Sequence, residues 1–269
     1  MSGYIGVDNT ARKVKELYVG VGNTARVVQK AYIGVGNVAR LWYTRGTQLG
    51  SLAVGSSVYF KVNNVRTEWL VVQQGNPSTS IYDSSCDGTW LLMKNIYENH
   101  RWGNNSYANS YADGGISTYL NNTIFNLFEA GIKNVIKQVK IPYRPGSGNS
   151  SSVYMGSNGL SVKVFLLSAI EVGFTTNTTP PQFPASEGVK LSYFETTANA
   201  SNSKRIANFN NSATKWWLRS PLLISRFIVF VDTDGSQDGN SANYQYGVRP
   251  CIVLPKGTLL DDNNNVIGG

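Results

Sequence analysis

"WWLRSPLLISRFIVFVDTDGSQDGNSANYQYGVRP", residues 216–250, sets two firm ends around a middle in which bulky apolar residues, aromatics and loop formers follow no clear period. Trp216 and Trp217 are adjacent, so in a strand one points inward and the other outward or toward a neighbouring layer. Burying one such ring contributes about 2–3 kcal/mol. Pro221 and Pro250 fix φ and stiffen the entrance and exit. Arg219 and Arg249 stand close to those prolines, where a guanidinium with five donors can pin loop carbonyls; the alternative is that both lie on the surface. Within the middle, "RFIVFV" reads either as a sticky exposed patch or as a core strand with Phe227, Val229 and Val231 on one face. "DTDGSQD" (232–238) has the alternating oxygens of a calcium loop but lacks a distal bidentate Glu, and a polar turn around Asp234-Gly235 is favoured.

Outward from this segment, 269 residues at 41% hydrophobic can bury a substantial core, as one main domain with a smaller addition. The net charge of +8 rests on only 15% charged residues, and no run of five or six Lys/Arg tracks a phosphate backbone. Nucleic acid is therefore not an expected partner. The first residues lack a basic segment followed by an apolar run, and no eighteen apolar residues occur together. Neither a secretory signal nor a membrane span is expected. Cys86 and Cys251 lie far apart without a CxxC, which points to buried free thiols rather than a disulfide or metal knuckle.

Three copies of one pattern open the chain at intervals of fourteen: "YIGVDNTARKVKEL", "YVGVGNTARVVQKA" and "YIGVGNVARLWYTR". Each has a short run, a two-residue turn at Asp8-Asn9, Gly22-Asn23 or Gly36-Asn37, and a second run, the signature of a β-hairpin. Six strands in a meander are expected. Alternation places Ile5, Val7, Thr10 and Arg12 on one face and Tyr4, Gly6, Ala11 and Lys13 on the other, with Gly20–Ala25 and Gly34–Ala39 as small cross-strand pairs. So thin a sheet needs a partner surface, either its own main domain or a second body in assembly. Residues 1–45 are taken as a hairpin-repeat module and 46–269 as the ligand-binding domain.

In the main domain "SSVYFKV", "TEWLVVQQG" and "TWLLMKNI" read as strands. "GISTYLNNTIFNLFEAGIKNVIKQV" has near-helical spacing, and Asn121-Asn122 should break it into two short helices. "LLSAIEVGF" carries a capping box, Ser168 with Glu171, which predicts a short helix. Long polar loops, "RPGSGNSSSVYMGSNG" and "FTTNTTPPQFPASEG", separate these elements. The expected class is α+β with few helices.

Catalytic chemistry finds little footing. The single histidine, His100, would have to serve any triad, no GxSxG marks a nucleophile, and the "GVGN" of the repeats is a turn rather than a phosphate loop. No enzyme activity, cofactor or metal site is expected.

"WWLRSP" (216–221), "VDTDGS" (231–236) and "GVRPCIVLP" (247–255), with "TYLNNTIFNLFEAGIKNVIKQVKIPY", "KVFLLSAIEVGF" and "GVKLSYF" upstream, resemble a C-type-lectin-like domain of the formylglycine-generating-enzyme type over roughly residues 50–256. The repeats are similar to those of phage tail and baseplate-associated proteins. The resemblance implies a C-type-lectin-like domain with long loops, preceded by the hairpin module. It also implies a variable protein of a diversity-generating retroelement, in which miscopied adenines convert asparagine codons to NNC codons. Such codons cannot encode Lys, Glu, Gln, Trp or Met; residues 222–246 lack Lys, Glu, Trp and Met but keep Gln237 and Gln245, which must then lie outside mutable codons.

On this reading Trp216, Trp217, Arg219, Pro221, Gly247, Arg249 and Pro250 form the scaffold. Leu222, Leu223, Ile224, Arg226, Phe227, Phe230, Asp238, Asn240, Ser241, Asn243, Tyr244 and Tyr246 form the variable ligand patch, and several of these are residue types that dominate binding energies. The implied protein is a non-enzymatic adhesin or receptor-binding protein of a phage or prophage. Its partners are a host cell-surface protein or glycan and, through the repeats, a tail component, within a homo-oligomer such as a trimer. Its place is the virion, or the bacterial cytoplasm before assembly. A lectin-like surface-binding module that is not diversified is the alternative, and a formylglycine-generating-type oxidase the remote one.

Overall fold

Each fourteen-residue repeat closes on itself in the computed structural model, which describes residues 3–7, 10–14, 16–28, 30–44, 46–105, 110–145, 152–175, 183–196, 200–223 and 227–267. Strand β1 (Tyr4–Val7) pairs with β2 (Thr10–Lys13), β3 (Tyr18–Val21) with β4 (Thr24–Val27), and β5 (Lys30–Val35) with β6 (Val38–Thr44). Gly6 faces Ala11, Gly20 faces Ala25 and Gly34 faces Ala39, as the alternation requires. Gly22 and Gly36 each take φ of +61° at the first turn position, the left-handed conformation that a two-residue hairpin loop demands there. The first repeat's turn, Asp8-Asn9, lies outside the described residues. The expected meander is corrected: the six strands form three separate two-stranded sheets. The tight turns specify pairing within a repeat, and nothing comparable specifies pairing between repeats.

Of the remaining strands, nine build two larger sheets, and six short ones pair off in three further two-stranded sheets. β7 (Ser57–Val62), β8 (Val65–Gln74) and β9 (Thr89–Met93) join β15 (Cys251–Leu254) in a four-stranded antiparallel sheet of order β15-β9-β8-β7. The β7–β8 turn is Asn63-Asn64, both at positive φ, which Asn tolerates better than most residues. β10 (Glu98–Arg101), β11 (Trp216–Pro221), β12 (Ile228–Val231), β13 (Gln237–Asn240) and β14 (Gln245–Val248) form the second sheet, of order β10-β14-β11-β12-β13. Its strands are antiparallel except where Trp216 meets Gly247 in parallel. Arg249-Pro250 carries the chain from β14 in this sheet to β15 in the other, so the frame residues stand at the junction of both sheets.

Five tryptophans, Trp69, Trp90, Trp102, Trp216 and Trp217, are fully buried in the core between these elements. Phe60 stacks on Trp69 at 4.9 Å, and Tyr82 and Phe165 meet Trp90 edge-on at 5.5 and 5.3 Å. Trp102 donates through Nε1 to the Leu218 carbonyl at 3.0 Å and so fastens the segment after β10 to β11.

Helix is scarce. Gly115–Leu127 is one run, α1 (Gly115–Tyr119) continuing through a π turn over Leu120–Ile124 and a 3₁₀ turn over Phe125–Leu127. The expected break at Asn121-Asn122 is thus corrected; the run ends at Phe128, and α2 (Ala130–Val135) follows. Asn121 stays inside because its amide does other work. Its Nδ2 donates to the Ser117 and Val164 carbonyls, both at 2.9 Å, and its Oδ1 accepts from Lys163 and Val164 amides at 2.9 and 3.2 Å. Asn121→Ala should therefore cost about 1–3 kcal/mol in chemical denaturation, because it strands the backbone groups of Lys163 and Val164. Asn122→Ala, one residue away and exposed in the same run, should cost far less.

The expected α+β class is overturned: among the described residues 40% are strand and 11% helix, in small and mostly antiparallel sheets, so the fold is mainly β. Segments whose apolar spacing resembled helices are partly consumed by turns. At Ser168–Glu171 the capping box forms, with the Ser168 amide donating to Glu171 Oε2 at 2.8 Å and the Glu171 amide to Ser168 Oγ at 3.2 Å. It closes a run of turns instead of a helix. No helix of the described residues is long and apolar enough to cross a membrane.

Candidate functional site

The frame is built around Arg219. Its side chain is fully buried on β11 and uses its whole fork: Nε donates to the Pro142 carbonyl at 3.0 Å, Nη1 to the Leu166 carbonyl at 2.9 Å and Glu171 Oε2 at 2.6 Å, and Nη2 to Glu171 Oε1 at 2.7 Å and the Glu187 carbonyl at 2.9 Å. Burial opposes the charge, but the bidentate bond and opposite charge of Glu171 more than offset it and push Arg219 above its ordinary range. Tyr82 donates its hydroxyl to Glu171 Oε1 at 2.7 Å, which completes the carboxylate's set. Of the two readings of the arginines, the pin is the one observed. Arg249, also buried, donates from Nε to the Met93 carbonyl at 2.8 Å, and its guanidinium lies over the Trp216 ring at 4.9 Å. Trp216, Trp217, Pro221, Gly247 and Pro250 are all buried. Both tryptophans have found core, because β11 is an inner strand covered on both faces.

What the frame carries divides sharply. Phe230 is 1% exposed and Phe227 41%. The placement of Phe230 and Leu223 (8% exposed) on the ligand patch is therefore corrected: both are buried. β12 lies between β11 and β13, and Ile228, Val229, Phe230 and Val231 are all buried, so the strand has no open face on which Phe230 could stand. Ile224 and Arg226 lie outside the described residues. Leu222, Asn240, Ser241 and Tyr246 are half-buried, while Asp238, Asn243, Tyr244 and Phe227 are exposed.

The exposed side chains stand on an aromatic base. Tyr246 packs against Trp217, Phe230 and Tyr244 at 4.6, 4.7 and 6.2 Å between ring centroids. Asn240 Nδ2 donates to the Tyr246 hydroxyl at 2.7 Å. Lys215 lies 4.9 Å from the Phe230 ring and 5.9 Å from that of Tyr246, held by a 3.0 Å ion pair with Asp232. A cation and closely packed rings at the base of exposed Tyr244, Asn243 and Asp238 can engage polar and aromatic groups of a partner.

Sequence reasoning missed the edge of this surface. β10 pairs with β14 so that His100 lies opposite Tyr246 and Arg101 opposite Gln245. His100 stacks on Tyr119 at 4.0 Å, and Tyr119 donates its hydroxyl to Glu98. More than a hundred residues separate the cross-strand partners in sequence, about twenty separate Tyr119 from His100 and Glu98, and no local motif links them. His100 is engaged in packing, and burial pushes the thiols of Cys86 and Cys251 up, Cys86 to about 12. The "DTDGSQD" segment is the β12–β13 turn: Gly235 at φ +83° packs so closely on the Asn202 carbonyl that a Cβ would sit 2.1 Å from its oxygen. Asp234 accepts from the Ser236 amide and hydroxyl at 2.9 and 2.6 Å and from Ser201 at 2.6 Å, so its carboxylate is already occupied by turn contacts. A cleft of about 480 Å³ lined by Tyr59, Arg66, Glu68, Asn95 and Tyr97 lies by β7 and β8.

One buried acid beside the frame should leave a pH signature. Glu187 is fully buried with no hydrogen-bond partner on either carboxylate oxygen by geometry. Burial raises its pKa to about 7, and the charge of Arg219, the nearby Ser220 hydroxyl and the charge of Arg144 only partly oppose this. Because the folded value exceeds the unfolded one, the folded state holds the extra proton between them. Stability should fall as pH rises from about 5 to about 8 and then level off. Glu187→Gln should flatten that slope in thermal melts; an unchanged slope would assign it elsewhere.

A protein-family comparison gives one match, "Domain of unknown function (DUF6273)", over residues 87–256, which is more than half of the chain and includes the whole framed segment. No curated protein matches the chain, and no solved structure does.

Proposed function

The chain belongs to the DUF6273 family, and on the geometry of its framed surface we propose that it is a non-enzymatic binding protein that presents Phe227, Asp238, Asn243 and Tyr244, on the Tyr246 base, to a macromolecular ligand. The observation that carries this reading is the contrast within one segment. A buried frame with every Arg219 donor group engaged holds a surface whose side chains are open to solvent. Exposed positions on such a frame tolerate substitution within about 0.5 kcal/mol, so ligand choice can change while the fold is kept.

The resemblance of the segment to retroelement variable proteins, and of the repeats to phage tail proteins, supports the finer reading: a phage or prophage receptor-binding adhesin whose segment 222–246 is diversified and whose ligand is a host surface protein or glycan. The loss of Phe230 and Leu223 to the core removes those two residues from that patch. Sequencing the DNA around the coding region tests diversification. A reverse-transcriptase gene with a near-copy of the segment differing at adenines supports it, and the absence of both leaves a fixed surface-binding module.

A further inference from the structure

Fifteen large apolar side chains are exposed among the described residues, and nine of them, Tyr4, Ile5, Tyr18, Val19, Val21, Tyr32, Ile33, Val35 and Val38, lie in the three hairpins. They are 45–61% exposed, and every residue of β3 is open to solvent. A two-stranded hairpin alone in water is marginal at best, and here three of them each pair only within themselves. We propose that the hairpins of one chain pack against the equivalent hairpins of further copies of the same chain, so that the protein is a homo-oligomer joined through residues 3–44. This goes beyond the binding function, which concerns the other end of the molecule's sequence.

Two observations select a second copy as the occupant. The exposed parts of the nine side chains amount to on the order of 800 Å² per chain, divided between the tyrosine face and the Ile/Val face, so two neighbouring copies, one on each face, together reach about the share that a partner contributes to a standard stable interface. The same surface also recurs three times at fourteen-residue intervals, with Ile5, Val19 and Ile33 each opposite an arginine, Arg12, Arg26 and Arg40. A matching surface must carry the same interval, and another copy of this chain supplies it in register. Residues 1–45 hold seven Lys/Arg against two Asp/Glu, so copies meet with like charge and apolar contact supplies the attraction. The arginines can extend along the apolar face to keep their charge at its rim.

Sedimentation velocity of the full chain, at low and high salt, tests this. The wild type is expected at a multiple of 29.4 kDa, with association strengthened by salt. Ile5→Asp, Val19→Asp and Ile33→Asp combined should yield monomer with an unchanged near-ultraviolet signal from the buried tryptophans. Should that variant misfold, the milder pair Val21→Ser and Val35→Ser should raise the dissociation constant about tenfold or more. A monomeric wild type, a triple variant that stays oligomeric with its fold intact, or an undiminished affinity in the milder pair would each overturn the proposal. Binding of ligand by the triple variant reports separately on the framed surface.

Discussion

Arg219→Ala is expected to lower the unfolding free energy by about 3–5 kcal/mol, because it leaves the Glu171 carboxylate buried with Tyr82 and the Ser168 amide as its remaining partners. It also strands the Pro142, Leu166 and Glu187 carbonyls that the guanidinium now serves. The expected loss is large relative to the 5–15 kcal/mol that folded domains typically hold. Arg219→Lys should recover little of it, since an ammonium cannot reproduce the bidentate fork. Pairing Arg219→Met with Glu171→Leu removes both charges together and should cost less than the two single changes summed, a coupling that a double-mutant cycle in denaturant reads directly. Additive costs would mean that the two side chains contribute independently.

The second large effect lies one strand-step away. Trp217 is fully buried, donates from Nε1 to the His100 carbonyl at 3.0 Å, and lies beneath Tyr246 and Phe230. Trp217→Ala should cost about 3–5 kcal/mol through the cavity and the lost contacts. It should also weaken ligand binding, because Tyr246 would lose its support and its bond from Asn240 with it. Trp90→Ala should destabilise to a similar degree, yet in samples still folded it should leave affinity near wild type, since Trp90 lies on β9 in the other sheet.

Much of this architecture is legible in the residues. The repeats state their hairpins through Gly22-Asn23 and Gly36-Asn37, and Pro221 and Pro250 mark the frame. Arg219 could be read as a pin from its five donors, but its acid could not be named. Glu171 lies 48 residues earlier in a capping box that looked like a local helix start, and only the tertiary fold turns that box toward the arginine. Alternation grouped Phe227 with Val229 and Val231 and set Phe230 on the other face, but β12 starts at Ile228 and has neither face open, so Phe230 is buried while Phe227, just before the strand, is exposed. The overestimate of helix arose in the same way. The capping box of Ser168 and Glu171 suited a helix start, while long-range bonds such as the Ala169 amide to Ser220 Oγ at 2.9 Å held the backbone in turns. His100 and Tyr119 entered the surface through strand pairing and ring stacking, which leave no local mark in the sequence.

The claim that a fixed frame carries a substitutable surface is tested most directly by a displayed library in which Asp238, Asn243, Tyr244 and Gln245 are randomised together and the survivors of protease treatment are sequenced. Near-uniform survival across residue types is expected at these four positions, while the same treatment of Trp217, Arg219, Phe230 and Arg249 returns almost only the native residues. Depletion at the four surface positions as severe as at the frame would contradict it.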